Sequence, residues 1–270
     1  MTEHQPRARM VLTAALAAGP SHAYLFRGPR GAGKRVAARA FAAEILAAGS
    51  DDPADARRRA LLDPSPHPDL VWLAPSGAQH LVESVREQVI RAAAYRPFEG
   101  AKRVFVIEAA EAMRDESQNA LLKTLEEPPG FVHLILLSSE PAALLETVAS
   151  RCQPVEFAPL PVEAIEAALA GTAPDDEIAA AARLSAGDVE LAGFLLTQRG
   201  RAIRGDAEGL VAAVLGVATA ATADSRGTPA AQPGAAPWQS LLGGAEEAGA
   251  DAEAAAREAL EAEAEAGVKR

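Results

Sequence analysis

A single cysteine, Cys152, in 270 residues leaves no room for an intrachain disulfide framework or a cysteine-based zinc site. Aromatic residues are scarce, with two Trp, two Tyr and seven Phe, so the core has to be built from aliphatic side chains and alanine. No apolar run reaches the roughly 20 residues that span a bilayer, which excludes a transmembrane helix and a membrane partner. The first ten residues, MTEHQPRARM, lack an apolar signal core, and the expected compartment is the cytoplasm. Positive charge is also in deficit. A net charge of −11 argues against non-specific nucleic-acid binding by overall field, although many acidic residues lie near the C-terminus and leave room for a local basic patch. No internal repeat is present.

What is there begins with Gly28-Pro29-Arg30-Gly31-Ala32-Gly33-Lys34-Arg35, a phosphate-binding loop with one residue changed. In G-x-x-x-x-G-K-[ST] the glycines let backbone N–H groups curl around a phosphate. The lysine neutralises its charge, and the final hydroxyl ligates Mg²⁺. Arg35 stands in place of that hydroxyl; it cannot ligate a cation and carries a positive charge of its own. The flanks fit the motif. Ala23-Tyr24-Leu25-Phe26 is a short apolar run suited to a buried parallel strand, and the alanine-rich segment Val36–Leu46 has apolar residues at helical spacing. A generic glycine turn in another α/β protein is the plainer alternative.

Alternating segments continue downstream. A helix is expected over about Gln5–Ala18, and Gly49–Pro68 is polar and proline-rich, an insertion or long connection. Further strands are expected at Asp69–Leu73, Val104–Ile107 and Val132–Ser139, with helices over about His80–Tyr95, Glu116–Leu125 and Ala142–Ser150. This pattern predicts a parallel sheet flanked by helices in residues 1–158. Helices over about Val162–Ala170, Asp175–Leu184 and Val189–Arg199 without strands predict a small all-helical domain at 159–205. Residues 206–270 read as a linker, Ala/Thr/Gly/Pro-rich over Thr219–Pro237, and an alanine- and glutamate-rich helical or partly disordered segment, Gly244–Arg270.

The chemistry that should accompany the loop is incomplete. An acidic residue at the end of a neighbouring strand normally holds the Mg²⁺ shell, followed by a carboxylate that activates water. The run Val104–Ile107 ends in Glu108, a longer substitute for aspartate, and the next position is Ala109, which has no proton acceptor. Glu111 is the alternative candidate for that base, but is expected on the surface or at a helix start.

Three segments together resemble the bacterial clamp-loader branch of the AAA+ family: Asn119-Ala120-Leu121-Leu122-Lys123-Thr124-Leu125-Glu126-Glu127-Pro128-Pro129, Ser150-Arg151-Cys152, and Ser21–Phe26 leading into the loop. The resemblance covers roughly residues 4–200. It implies an AAA+ P-loop domain, a helical lid and a helical collar, with residues beyond about 205 matching the collar poorly, as a truncated or a divergent version would. Within the branch the chain looks like the delta-prime group of the DNA polymerase III holoenzyme, with the ATP-hydrolysing gamma/tau group as the competing assignment. Hydrolysing members need the loop hydroxyl, the acidic pair and a lid arginine. This chain has Arg35, Glu108-Ala109 and, in the lid segment Ser185–Ala192, Glu190. The degenerate nucleotide site would comprise Gly28, Gly31, Gly33, Lys34, Arg35 and Glu108, and residual ATP or ADP binding stays open. The zinc-binding cysteines usual in the family are missing from Gly49–Pro68, so no zinc or other metal site is expected.

The same resemblance makes Arg151 an arginine finger acting in trans. It would reach the γ-phosphate held by a neighbour in a hetero-pentameric ring with gamma/tau and delta subunits, which loads the sliding clamp on primed DNA. A guanidinium suits that task because it is always charged and forks onto phosphate oxygens. The alternative is a local pair with Glu146 or Glu156. A DNA-directed DNA polymerase assignment would describe the holoenzyme, since no polymerase carboxylate constellation is evident in the chain. Cys152 reads as a small buried residue, and His22 and His67 as loop-end hydrogen-bonding groups. Lys123 and Thr124 are candidates for the ring's central chamber, with plain solvation on a helix surface as the alternative for Lys123. Arg86, Arg91, Arg96, Lys102 and Arg103 form the main basic cluster, a candidate for DNA-backbone contact.

Overall fold

The computed structural model describes residues 4–215. The linker and acidic segment expected at Thr219–Pro237 and Gly244–Arg270 lie outside the described residues. Five parallel strands, β1 (Ala23–Arg27), β2 (Leu70–Leu73), β3 (Arg103–Ile107), β4 (Val132–Ser138) and β5 (Gln153–Glu156), form one sheet in the order β2-β3-β4-β1-β5.

Near-continuous apolar runs on the central strands mean that both faces are covered. Successive side chains point to opposite faces, and the two cores divide accordingly. Tyr24, Phe26, Val104, Val106, Ile135 and Leu137 enter one, against α1 (Pro6–Ala18) and α2 (Lys34–Ala48). Leu25, Phe105, Ile107, Leu134 and Leu136 enter the other. There they meet Val85 of α4 (Val82–Val85), Val89 of its π-helical continuation (Arg86–Arg91), and Leu121 and Leu125 of α5 (Asp115–Glu126). Each such side chain taken fully from water contributes on the order of 1.5–3 kcal/mol.

Three segments of the sheet-bearing part differ from the sequence-based expectation. Pro53–Ala60, inside the expected long connection, is a helix, α3, with Asp52 accepting from the Asp55 N–H at 3.0 Å and Pro53 in its first turn. The expected helix over Ala142–Ser150 is a 3₁₀ turn at Pro141–Ala143 followed by the single-turn α6 (Glu146–Ala149). Strand β5 was not foreseen. It is short, lies at the sheet edge, contains Pro154 and buries only Val155, so it has little hydrophobic pattern to read.

Beyond the sheet come α7 (Val162–Leu169), α8 (Asp175–Leu184) and α9 (Val189–Leu195). The described chain divides into two compact parts after Gly193. In the second part, the helix expected to run through Arg199 instead stops at Leu195 and restarts as α10 (Gln198–Leu215). Thr197 Oγ1 donates to the Phe194 carbonyl and accepts from the Gly200 N–H, an N-cap that starts the new helix.

Candidate functional site

The sheet order brings the C-terminal ends of β1, β3 and β4 to one crevice, the usual place for a ligand in an open parallel sheet. A cavity of about 820 Å³ opens there, lined by the phosphate loop, the β3 and β4 exits and the start of α9. The loop curls because Gly28, Gly31 and Gly33 all take positive φ. A Cβ on Gly28 would collide with the Phe157 carbonyl, and one on Gly31 with the Asp188 carboxylate.

Lys34 is buried, and its Nζ donates to the carbonyls of Gly28 (2.5 Å) and Pro29 (2.6 Å) and to Ser139 Oγ (3.1 Å). Burial lowers its pKa from the usual lysine value. Glu111, Glu190 and Asp188 act in the opposite direction, while Arg30 adds to the lowering. The lysine therefore faces an acidic surround built by its own chain. Asp188 caps α9, accepting from Glu190 N (2.8 Å) and Leu191 N (3.0 Å), which fixes Glu190 on the cavity wall.

Arg35 defines the metal position. Its Nε lies 2.6 Å from Glu108 Oε1, and its guanidinium also lies 3.7 Å from Asp63. The same Glu108 oxygen accepts from Trp72 Nε1 at 2.6 Å, and the Glu108 backbone carbonyl lies 2.6 Å from His80 Nε2. Arg39 stacks on Trp72, 4.4 Å from the ring centroid, and pairs with Asp63 at 2.9 Å. The acidic residue that would hold a Mg²⁺ shell is thus paired with a guanidinium, and no hydroxyl stands at position 35. These residues do not fit a Mg²⁺ ion. Ala109, with φ 44°, carries the chain around the corner where a water-activating carboxylate would stand.

Glu111, expected on the surface or at a helix start, lies in a short 3₁₀ helix and lines the cavity. The 3₁₀ turn at Ala110–Ala112 directs its Oε1 to accept from Ser139 N at 3.1 Å, while Oε2 is buried without a hydrogen-bond partner among the described residues. Sequence reasoning also missed Ser139, Trp72, Asp63, His80 and Gln5. The buried Gln5 side chain bridges the loop and the β5 exit, donating to Ala32 O (3.1 Å) and Ala158 O (2.6 Å) and accepting from Ala158 N (3.0 Å). Only Ser139 carried a legible signal, as the first polar residue after the strand beside β1.

Arg151 is not brought into this cavity. It sits in the turn between α6 and β5, with Nη2 2.6 Å from Glu126 Oε1 and Nη1 donating to Thr147 O at 2.8 Å. Its carboxylate partner is therefore Glu126, at the end of α5, rather than Glu146 or Glu156; Glu156 pairs with Arg27. The adjacent Cys152 is free and buried, and burial pushes its thiol up to about 12.

The basic cluster is largely committed locally. Arg86 pairs with Glu116 at 2.8 Å, Arg91 pairs with Glu87, and Lys102 donates to Gly130 O at 3.2 Å. Arg103 is buried against Phe98 and Phe105 and donates to Ala92 O, which removes it from any surface patch. The buried His67 Nδ1 accepts from Asp69 N at 3.2 Å; burial, then Arg59, lowers its pKa. Among the described residues, no helix is long and apolar enough to cross a membrane.

Residues 4–161 match the family model described as DNA polymerase III, delta subunit. Among curated proteins, the chain is 39% identical over 140 residues to DNA polymerase III subunit delta′ of Pseudomonas aeruginosa, covering 49% of this chain and 42% of that protein. It is 33% identical over 172 residues to subunit delta′ of Bacillus subtilis, covering 62% and 51%. The chain thus spans about half the length of these relatives. Among solved structures, a DNA polymerase III gamma subunit-related protein of Thermotoga maritima matches with a TM-score of 0.50 at 18% identity, covering 76% of this chain and 62% of that one, which shows a shared fold.

Proposed function

The chain belongs to the DNA polymerase III delta subunit family, with delta′ relatives, and from that membership we propose that it is a clamp-loader subunit that does not itself hydrolyse ATP. In this reading it sits beside ATP-binding gamma/tau and delta subunits in a hetero-pentameric ring and helps place the sliding clamp on primed DNA. Residues 1–158 are its AAA+ domain, 159–205 its lid, and 206–270 a linker and an incomplete or divergent collar segment. The observation that carries the absence of turnover is the 2.6 Å pair between Arg35 and Glu108, which puts a guanidinium on the carboxylate that Mg²⁺ would need. Ala109 and the Glu190 carboxylate on the cavity wall support it: the first supplies no base, and the second repels a triphosphate.

The functional charge is Arg151, exposed at a turn and therefore able to meet phosphate held by another subunit. Oriented guanidinium groups stabilise the charge that spreads over the transferring phosphoryl group. The test has two arms. The isolated chain with Mg²⁺-ATP should release phosphate no faster than buffer. In the assembled loader, Arg151→Ala should lower ATP turnover by a factor on the order of 10² or more. Robust Mg²⁺-dependent hydrolysis by the isolated chain would instead support a gamma/tau-like ATPase, a reading that the intact Gly28–Lys34 loop favours.

A further inference from the structure

We propose that Glu126 is a positioning residue that holds Arg151 down on its own subunit until a neighbour's phosphate competes for it. The inference rests on the trans-acting reading of Arg151. Three observations carry it. First, both ends of the guanidinium are committed, Nη2 to Glu126 Oε1 at 2.6 Å and Nη1 to Thr147 O at 2.8 Å. Second, the pair is accessible: the side chains of Arg151 and Glu126 are 36% and 49% exposed, so a phosphate can approach without unfolding anything. Third, Glu126 is the last residue of α5, where the helix dipole disfavours a carboxylate. A carboxylate placed there gains a cation across the gap and contributes little to its own helix.

The carbonyl of Thr147 belongs to α6, whose short turn is fixed by Leu145 and Val148 in the core. The acceptors that hold the arginine are thus set by the fold, while the arginine itself can swing. An exposed ion pair of this kind is weak in water and screened by salt, so the latch is breakable by design. A phosphate carrying more than one negative charge, approached in a partly dry interface, outcompetes a single carboxylate. Engagement by the neighbour's nucleotide therefore has to release Glu126 first, and that release raises the ATP concentration at which the ring locks.

The test uses the full chain assembled with its partner subunits, with ATP turnover measured against ATP concentration. Glu126→Gln should lower the KM for ATP about threefold to fivefold, with kcat within twofold of the unaltered loader. Glu126→Asp, which keeps the charge, should return most of the original KM. An unchanged KM in Glu126→Gln, or a fall in kcat, overturns the latch. Arg151→Ala separates the two ideas: if it leaves kcat intact, the finger reading itself fails, whereas a large loss beside an unmoved KM in Glu126→Gln removes only the latch. Should Glu126→Gln not fold, side-chain NMR of the unaltered chain decides instead. Hindered rotation of the Arg151 guanidinium is expected, and free rotation overturns the proposal.

Discussion

Two arginine–glutamate pairs, both at 2.6 Å, have opposite surroundings. In the crevice, Glu108 is only 14% exposed, takes a second donor from Trp72 on the same oxygen, and sits below Arg35, which Asp63 also attracts. At the α6–β5 turn, Glu126 and Arg151 are both open to solvent and are joined by one bond. Identical chemistry is therefore locked in one place and releasable in the other. The first pair fills a position where a metal would act; the second lies at the surface. The difference lies in the burial of the carboxylate and in the donors it holds, not in the arginines, since Arg35 at 52% is more exposed than Arg151 at 36%.

The largest expected effect tests how rigid the frame beneath Arg151 is. With its thiol pushed up to about 12, Cys152 exposes a thiolate fraction of roughly 10⁻⁴ at pH 8, about 10³-fold below an ordinary cysteine. Labelling of the folded protein by iodoacetamide should be slower by at least that factor and should recover in denaturant. Fast labelling of the folded chain would mean that the turn breathes, and the arginine would then be loosely held for a reason other than its partner.

Next in size is the seam between the two regions. Gly28 opens the phosphate loop with positive φ, and a Cβ there would strike the carbonyl of Phe157, just past β5. Gly28→Ala should lower stability by about 3 kcal/mol or more, read as a shift in urea midpoint. Gly130→Ala, which meets nothing within 4 Å, should change it by less than ~0.5 kcal/mol. Equal effects would show that the loop is not braced by the strand that follows Arg151.

These contrasts also explain what the sequence could reveal. Strands β1 to β4 and the glycine loop announced themselves because their signals are local: short apolar runs, and glycines where φ must be positive. Strand β5 escaped because an edge position needs only Val155 buried. Arg35 stood out as a departure, but its consequence did not, since Glu108 is 73 residues further along and only the pairing of β2 with β3 brings Trp72 to the same carboxylate. Glu111 and Asp188 were similarly hidden. Their roles depend on a 3₁₀ turn and a helix cap that bring them to Lys34 from different elements. For Arg151, the residue was legible and its partner was not. Glu126 lies 25 positions upstream, in a motif that reads as a helix end rather than as half of an ion pair.

The smallest expected effects bear most directly on the comparison. A double-mutant cycle removes each partner singly and then together, and the remainder isolates their coupling. For Arg35 and Glu108, using Ala and Gln replacements, the coupling should be about 1–2 kcal/mol: Glu108 is shielded and holds two donors, while the half-exposed arginine limits the gain. For Arg151 and Glu126 it should lie between about 0 and 1 kcal/mol and shrink as salt rises from low to physiological strength. Thermal or urea unfolding of the isolated chain reads both. A coupling at Arg151 as large as that at Arg35 would make it a structural pair. The arginine would then have to break a strong contact to serve another subunit, and the distinction between a locked and a releasable charge would be lost.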